Sequence, residues 1–165
     1  MKKLLFAMLS GLCAVCPAFS ETYGTLPTKA HLKSHKREII AIVHWGPNTY
    51  TGQEWGFGNV PPSRVTPDRL DPEQWVKAMA DGGIRAVVLV AKHHDGFCLW
   101  PTKTTEHNIT KSPFSRDYVK EMEQACRRAG LKFGVYISPW DRNSAYYATE
   151  RYVDIYHAQI KELLG

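Results

Sequence analysis

From about residue 38 onward, short apolar runs alternate with segments whose apolar residues recur at helical spacing. Glu38-Ile39-Ile40-Ala41-Ile42-Val43 reads as a strand, and it ends in His44-Trp45-Gly46-Pro47. Asp71-Pro72-Glu73 reads as a helix start: Asp71 caps, Pro72 takes the first helical position, and Glu73 favours the positive end of the dipole. That helix is predicted to run to about Asp81 and to stop at Gly82-Gly83. Arg85 to Ala91, with its run Val87-Val88-Leu89-Val90-Ala91, suits a strand buried on both faces, as in a parallel sheet. A helix over Arg116 to Ala129 gathers Val119, Met122, Ala125 and Cys126 on one face and ends at Gly130. Leu131 to Ser138 is a third strand, ending in Pro139-Trp140-Asp141-Arg142-Asn143. Thr149 to Leu164 is a last helix, with Tyr152, Ile155, Tyr156, Gln159, Ile160 and Leu163 at helical spacing. Thr49 to Gly58 and Thr102 to Ser115 read as loops, Pro61, Pro62 and Pro67 keep their segment irregular, and residues 21–37 form a polar leader without a period.

The order strand, helix, strand, helix, strand, helix predicts an α/β fold with parallel pairing and right-handed crossovers. Strand ends then share one rim, which brings together His44, His93-His94 and Trp140-Asp141. A buried strand that opens into cationic, titratable and aromatic residues is how an α/β barrel builds an active site. An eight-unit barrel needs about 250 residues, and three strands alone leave an exposed edge and a bare face. Residues 38–165 are therefore read as about the first three βα units of a partial (β/α)8 TIM-like barrel, the N-terminal portion of a truncated catalytic domain.

The first twenty residues stand apart from this pattern. Lys2-Lys3 precede an apolar stretch from Leu4 to Val15, too short to span a bilayer, and Ala18-Phe19-Ser20 offers small residues for cleavage after Ser20. Residues 1–20 are read as a signal peptide that exports the chain to a periplasmic, secreted or lysosome-like compartment. A lipoprotein box at Cys13 or Cys16 fits the preceding residues poorly, and a buried N-terminal helix is the blander alternative. Of four cysteines, Cys98 and Cys126 remain, too few for a disulfide framework and read as packed thiols. The formal net charge of +5 comes partly from Lys29, Lys33, Lys36 and Arg37, and no basic run interleaves with aromatics, so no nucleic-acid partner is implied. Asn108-Ile109-Thr110 is a glycosylation sequon, relevant only in a host that glycosylates exported proteins.

Histidines and indoles on one rim suit a neutral hydroxylated ring. Imidazole both donates and accepts hydrogen bonds, and Trp45, Trp55 and Trp140 offer flat apolar faces for C–H surfaces. Cleaving a glycoside requires two carboxylates, for which the rim offers Glu54, Asp95 and Asp141. Asp95 before Gly96 also fits a plain turn, and Asp141 fits a loop cap or a pair with Arg142. A rival reading gives His44, His93, His94 and Asp95 to a metal ion, although both adjacent histidines reach one site only where the strand bends into its loop. There is no nucleophile elbow, phosphate loop or dinucleotide fingerprint, and no cofactor is implied.

Four ordered motifs carry a resemblance: His44-Trp45-Gly46-Pro47-Asn48-Thr49, Glu54-Trp55-Gly56, Lys92-His93-His94-Asp95-Gly96-Phe97-Cys98-Leu99-Trp100 and Tyr136-Ile137-Ser138-Pro139-Trp140-Asp141-Arg142-Asn143. Together they closely resemble the α-L-fucosidases of glycoside hydrolase family 29, over nearly all of residues 38–164. The resemblance implies a (β/α)8-like domain that removes terminal α-L-fucose from oligosaccharides or glycoconjugates with retention, through an aspartate nucleophile and a separate acid/base. It further implies that His44, His93 and His94 bind fucose hydroxyls, that Glu54 and Trp55 line the pocket, and that Tyr136 touches the sugar. The Pro-Asn-Thr variant looks like the branch acting on α-1,3/1,4-linked fucose. The nucleophile and the acid/base of that family match no motif here and are expected beyond Gly165. The chain as it stands is expected to be inactive alone; a fucose-binding remnant and a metal-dependent hydrolase are the alternatives. Oligomeric state is left open.

Overall fold

The computed structural model describes residues 24–165; the segment read as a signal peptide lies outside them. Eight helices and strands follow in order: α1 (Lys29–His35), β1 (Ile40–Val43), α2 (Pro47–Thr51), α3 (Pro72–Asp81), β2 (Ala86–Lys92), α4 (Tyr118–Arg128), β3 (Lys132–Ile137) and α5 (Glu150–Leu164), with single 3₁₀ turns at Pro62–Arg64 and Ile109–Lys111. The three strands form one parallel sheet in the order β1-β2-β3. Ile40 pairs with Ala86 and Val43 with Leu89, while Ala86 pairs with Lys132 and Val90 with Tyr136.

Local chemistry accounts for the boundaries. The Asp71 carboxylate accepts the backbone N–H of Glu73 and Gln74, with Pro72 next in line, so α3 starts where the sequence predicts. Asp117 caps α4 in the same way through Lys120 N–H. The predicted apolar face of α4, made by Val119, Met122, Ala125 and Cys126, is buried. It packs with Val76 of α3 and Val87, Leu89 and Ala91 of β2 in one cluster that also takes in Val65, Phe97, Leu99 and Tyr118. Burying such side chains contributes about 1.5–3 kcal/mol each. Cys98 and Cys126 are free and buried, as expected of packed thiols. Burial pushes the Cys98 thiol far above its ordinary range and the Cys126 thiol up to about 11, so neither is poised as a nucleophile.

The sheet is covered unevenly. Six of the seven β2 residues are buried, whereas Ile40 and Ile42 of β1 are 44% and 74% exposed. Edge β1 and its bare side are thus what a three-strand parallel sheet was expected to leave.

Two helices depart from the sequence reading. Inside the polar leader, the Thr28 hydroxyl accepts His31 N–H while the His31 ring accepts Thr28 N–H, and this reciprocal cap starts α1. No residue of α1 is buried, so it had no apolar face for a periodic pattern to display. The start of the aromatic loop is helical as well: Pro47 opens α2, and the Thr49 hydroxyl accepts Gly46 N–H. Among the described residues, no helix is long and apolar enough to cross a membrane.

The sequon is a structural element. Asn108 is 2% exposed; its Nδ2 donates to the Thr105 carbonyl at 2.6 Å, and its Oδ1 accepts Thr110 N–H and the Thr110 hydroxyl at 2.9 and 2.6 Å.

Candidate functional site

All three strands end on one side of the sheet, and there the rings of the predicted rim gather. His44 follows β1, and its ring centroid lies 4.3 Å from that of His93. His93 and His94 follow β2, with centroids 4.0 Å apart. Consecutive residues of a flat strand would face apart, but β2 carries a register irregularity between Val90 and Lys92 and has ended before His93. Both imidazoles thus turn to the same side at the bend. From β3 and the turn after it come Tyr136, 6.5 Å from His93, and Trp140, 4.9 Å from His94. Trp55 closes the group edge-on, 6.0 Å from His94 and 5.9 Å from Trp140. Glu54 shares with His44 an open depression of about 510 Å³, also lined by Gly46, Asn48 and Thr49. His44, Glu54, Trp55, His93, His94, Tyr136 and Trp140 are therefore neighbours.

Burial favours the neutral form of these imidazoles. His93 is lowered to about 4, first by loss of water and then by the His44 and His94 charges. His94 is lowered by burial and the Arg142 guanidinium. His44 has solvent-exposed surface, yet its neighbours crowd off enough water to lower it too, with His94 adding to the effect. Neutral imidazoles keep one donor and one acceptor each. The His93 Nδ1 finds no hydrogen-bond partner among the described residues.

Three rim candidates belong elsewhere. Trp45 is 8% exposed and packs edge-on against Tyr118 at 5.1 Å, so its indole is core rather than a ligand platform. His44 and Trp45 are consecutive residues just past the end of β1, yet His44 is exposed and Trp45 is buried. The Asp95 carboxylate accepts Phe97 N–H at 2.9 Å and makes the turn; Gly96 at φ +80° has no room for a side chain, since a Cβ would fall 2.3 Å from Asp141 Oδ1. Asp141 caps its loop by accepting Asn143 and Ser144 N–H at 3.1 and 2.9 Å. Its charge partner is Lys92 at 3.4 Å, not Arg142.

Lys92, which the sequence places with the cationic cluster, points away from it. It is 0% exposed, and besides Asp141 it donates to Tyr152 Oη at 2.9 Å and Gln159 Oε1 at 2.8 Å. Tyr152 in turn donates to Asp141 at 3.3 Å. Three ammonium protons thus meet three acceptors, tying β2 to α5 and to the loop after β3.

Three residues that sequence reasoning did not individually assign to the site support it. Arg142 donates from its backbone to the His94 carbonyl at 2.9 Å. Its guanidinium reaches the Gly56 carbonyl and lies over Phe57 and Trp140, 4.7 and 5.3 Å from the ring centroids. Asn143 Nδ2 donates to the Gly58 carbonyl at 2.7 Å. The loop bearing Trp55 is thereby pinned to the turn bearing Trp140. Ser138, buried at the end of β3, contacts His94 directly. Arg142 was legible as a charge beside Asp141, and Ser138 and Asn143 only as members of the fourth motif, without a role of their own.

Among the described residues, no group of three His, Cys, Asp or Glu side chains is arranged to hold a metal ion. What the arrangement offers is a shelf of neutral hydrogen-bonding rings flanked by indole faces, suited to a polar ring with apolar edges.

Known proteins agree with this geometry. A family model described as alpha-L-fucosidase matches residues 16–164. Alpha-L-fucosidase 1 of Arabidopsis thaliana is 41% identical over 143 residues, covering 84% of this chain and 28% of the relative. A solved glycoside hydrolase 29 family member from an unknown rumen bacterium superposes with a TM-score of 0.83 at 43% identity, over 86% of this chain and 26% of that one. An alpha-L-fucosidase GH29 from Bacteroides thetaiotaomicron, trapped as a covalent intermediate in complex with 2-fluoro-fucosyl fluoride, superposes at 0.74 and 26% identity, over 87% and 40%. This chain thus spans about a quarter of the length of the first two relatives. The chain belongs to the α-L-fucosidase family, glycoside hydrolase family 29.

Proposed function

We propose that this chain forms the fucose-holding part of a retaining α-L-fucosidase acting on fucosylated oligosaccharides or glycoconjugates. The observation that carries the reading is the convergence of His44, His93 and His94 with Trp55 and Trp140 where the parallel strands end. Neutral imidazoles accept from and donate to sugar hydroxyls, and the indoles cover the C–H face of the ring. Glu54 beside His44 adds an anionic acceptor at the edge, and Tyr136 adds a hydroxyl. Hydrogen bonds to the sugar that strengthen as the ring distorts lower the barrier rather than only the dissociation constant.

Asp95 and Asp141 do not break the bond in this reading, because both carboxylates are buried and occupied by backbone N–H groups. We place the nucleophile and the acid/base in the portion of the relatives that this chain does not match, with the three strands continued there into a (β/α)8 barrel. The relative captured as a covalent intermediate supports a two-step retaining route, in which a carboxylate attacks the anomeric carbon and water then releases fucose. The Pro47-Asn48-Thr49 sequence of α2 supports α-1,3/1,4-linked fucose as substrate. The Lys2-Lys3 and Leu4 to Val15 pattern supports export, which N-terminal sequencing of the secreted chain tests.

The reading predicts that this chain binds L-fucose without cleaving an aryl α-L-fucoside, and that the continuous full-length enzyme cleaves it with retention. Absence of any L-fucose-dependent shift in the His93 and His94 ring signals would sink it.

A further inference from the structure

The Ser138 hydroxyl sits at a junction of three contacts. It lies 2.7 Å from His94 Nδ1, 2.9 Å from the Trp140 carbonyl oxygen and 3.1 Å from the Trp140 backbone nitrogen. A serine hydroxyl has one proton and two lone pairs. The Trp140 carbonyl can only accept and the Trp140 N–H can only donate, so the hydroxyl proton goes to the carbonyl and one lone pair to the N–H. The remaining lone pair faces His94, and every contact is satisfied only when Nδ1 carries the imidazole proton. The alternative, with the hydroxyl donating to Nδ1, leaves the half-buried Trp140 carbonyl without a partner among the described residues, which disfavours it.

The hydroxyl has no freedom to drift. Ser138 is 0% exposed, and its backbone N–H donates to the Lys92 carbonyl at 2.9 Å, extending the β2–β3 ladder by one residue. His94 is held from its other end, where its carbonyl accepts Arg142 N–H.

We propose that Ser138 is a positioning residue that fixes His94 as its Nδ1–H tautomer, so that Nε2 presents a lone pair to the rim and accepts a hydrogen bond from a ligand hydroxyl. The step rests on the fucose-holding reading for the identity of the ligand, but the tautomer itself does not. It gives the rim a defined polarity: His94 receives a proton donor and rejects a ligand that offers only an acceptor there.

Long-range proton–nitrogen NMR of the histidine rings in the whole chain tests this without sugar. The expected spectrum shows His94 Nδ1 as a protonated, pyrrole-type nitrogen and Nε2 as an unprotonated, pyridine-type one. The reverse assignment overturns the proposal. Ser138→Ala is expected to release the lock and move both His94 nitrogens toward averaged shifts, and Ser138→Thr to restore them. Unchanged shifts in Ser138→Ala also overturn it. Should Ser138→Ala lose its dispersed backbone spectrum, Ser138→Cys, which keeps the volume with a weaker hydrogen-bonding group, is expected to show the same averaging in part. L-fucose added to the native chain is expected to shift Nε2, and Ser138→Ala to bind it about fivefold more weakly. A pyridine-type Nε2 that ignores L-fucose upholds the lock and removes the sugar as its ligand.

Discussion

Lys92 and His93 are consecutive residues with opposite fates. Lys92 is fully buried, and each of its protons is matched by an acceptor drawn from the loop after β3 or from α5. His93 lies at the rim with a nitrogen that has no partner among the described residues, its ring set at a tilt between two other imidazoles. One peptide bond separates a site where polar chemistry holds the fold from a site where polar chemistry is left free for something else. Chemical type does not distinguish them; completeness of the hydrogen bonds does. Satisfied buried groups stabilise, and unsatisfied convergent ones are what a ligand would complete.

The sharpest way to break this contrast is at Lys92. Lys92→Met removes the charge while keeping most of the volume, and leaves Asp141 buried without its cation. The expected cost is about 3–5 kcal/mol, read as a lower denaturation midpoint in urea; a loss under about 1 kcal/mol would mean that the inner network contributes little. Gly96→Ala comes next, because it forces a side chain at positive φ into the Asp141 carboxylate. It is expected to cost about 1–3 kcal/mol by the same measurement. His93→Ala should behave in the opposite sense. Stability is expected to fall by under about 1 kcal/mol, while L-fucose affinity drops by about 1–2 kcal/mol, five- to thirtyfold by calorimetry. An equal loss in both would make His93 a core residue.

A pH titration sharpens the contrast more gently. The His93 pKa falls from 6.5 to about 4 on folding, so as pH drops through that window the unfolded chain takes up the proton first and the fold loses stability. The Asp95 pKa rises from 3.8 to about 6, burial outweighing the Phe97 N–H bond that pulls it down. Between about pH 6 and 4 the folded chain therefore binds that proton first and gains stability. The two effects oppose, and the native chain is expected to show a shallow profile. Asp95→Asn, which keeps the acceptor for Phe97, should uncover a plain decline in stability between about pH 6.5 and 4. If the variant's profile stays as shallow as the parent's, the His93 assignment fails.

How much of this was legible in the sequence follows the same division. The strands and the three longer helices were readable because each repeats its apolar positions, as Val119, Met122, Ala125 and Cys126 do on α4. The rim was readable because parallel strands end on one side, which placed His44, His93, His94 and Trp140 together without any contact information. The short helices α1 and α2 escaped because local caps, not apolar faces, start them. The inward turn of Lys92 escaped because its partners lie 49, 60 and 67 residues further along. Trp45 was misplaced because its burial depends on Tyr118 of α4, far along the chain. Ser138 looked like any serine at a strand end, since its role depends on where one lone pair points.

The sequon at Asn108 has a practical consequence for making this protein. Its amide nitrogen is spent inside a tight turn, so oligosaccharide transfer in a eukaryotic secretory host can only win by reaching the nascent polypeptide before that turn closes. A glycan attached then bars the turn from closing, and the cell's quality control retains the product. Intact-mass analysis of medium and lysate should find bare protein secreted and the sugar-bearing form left behind, which makes an unglycosylating bacterium the sounder expression choice.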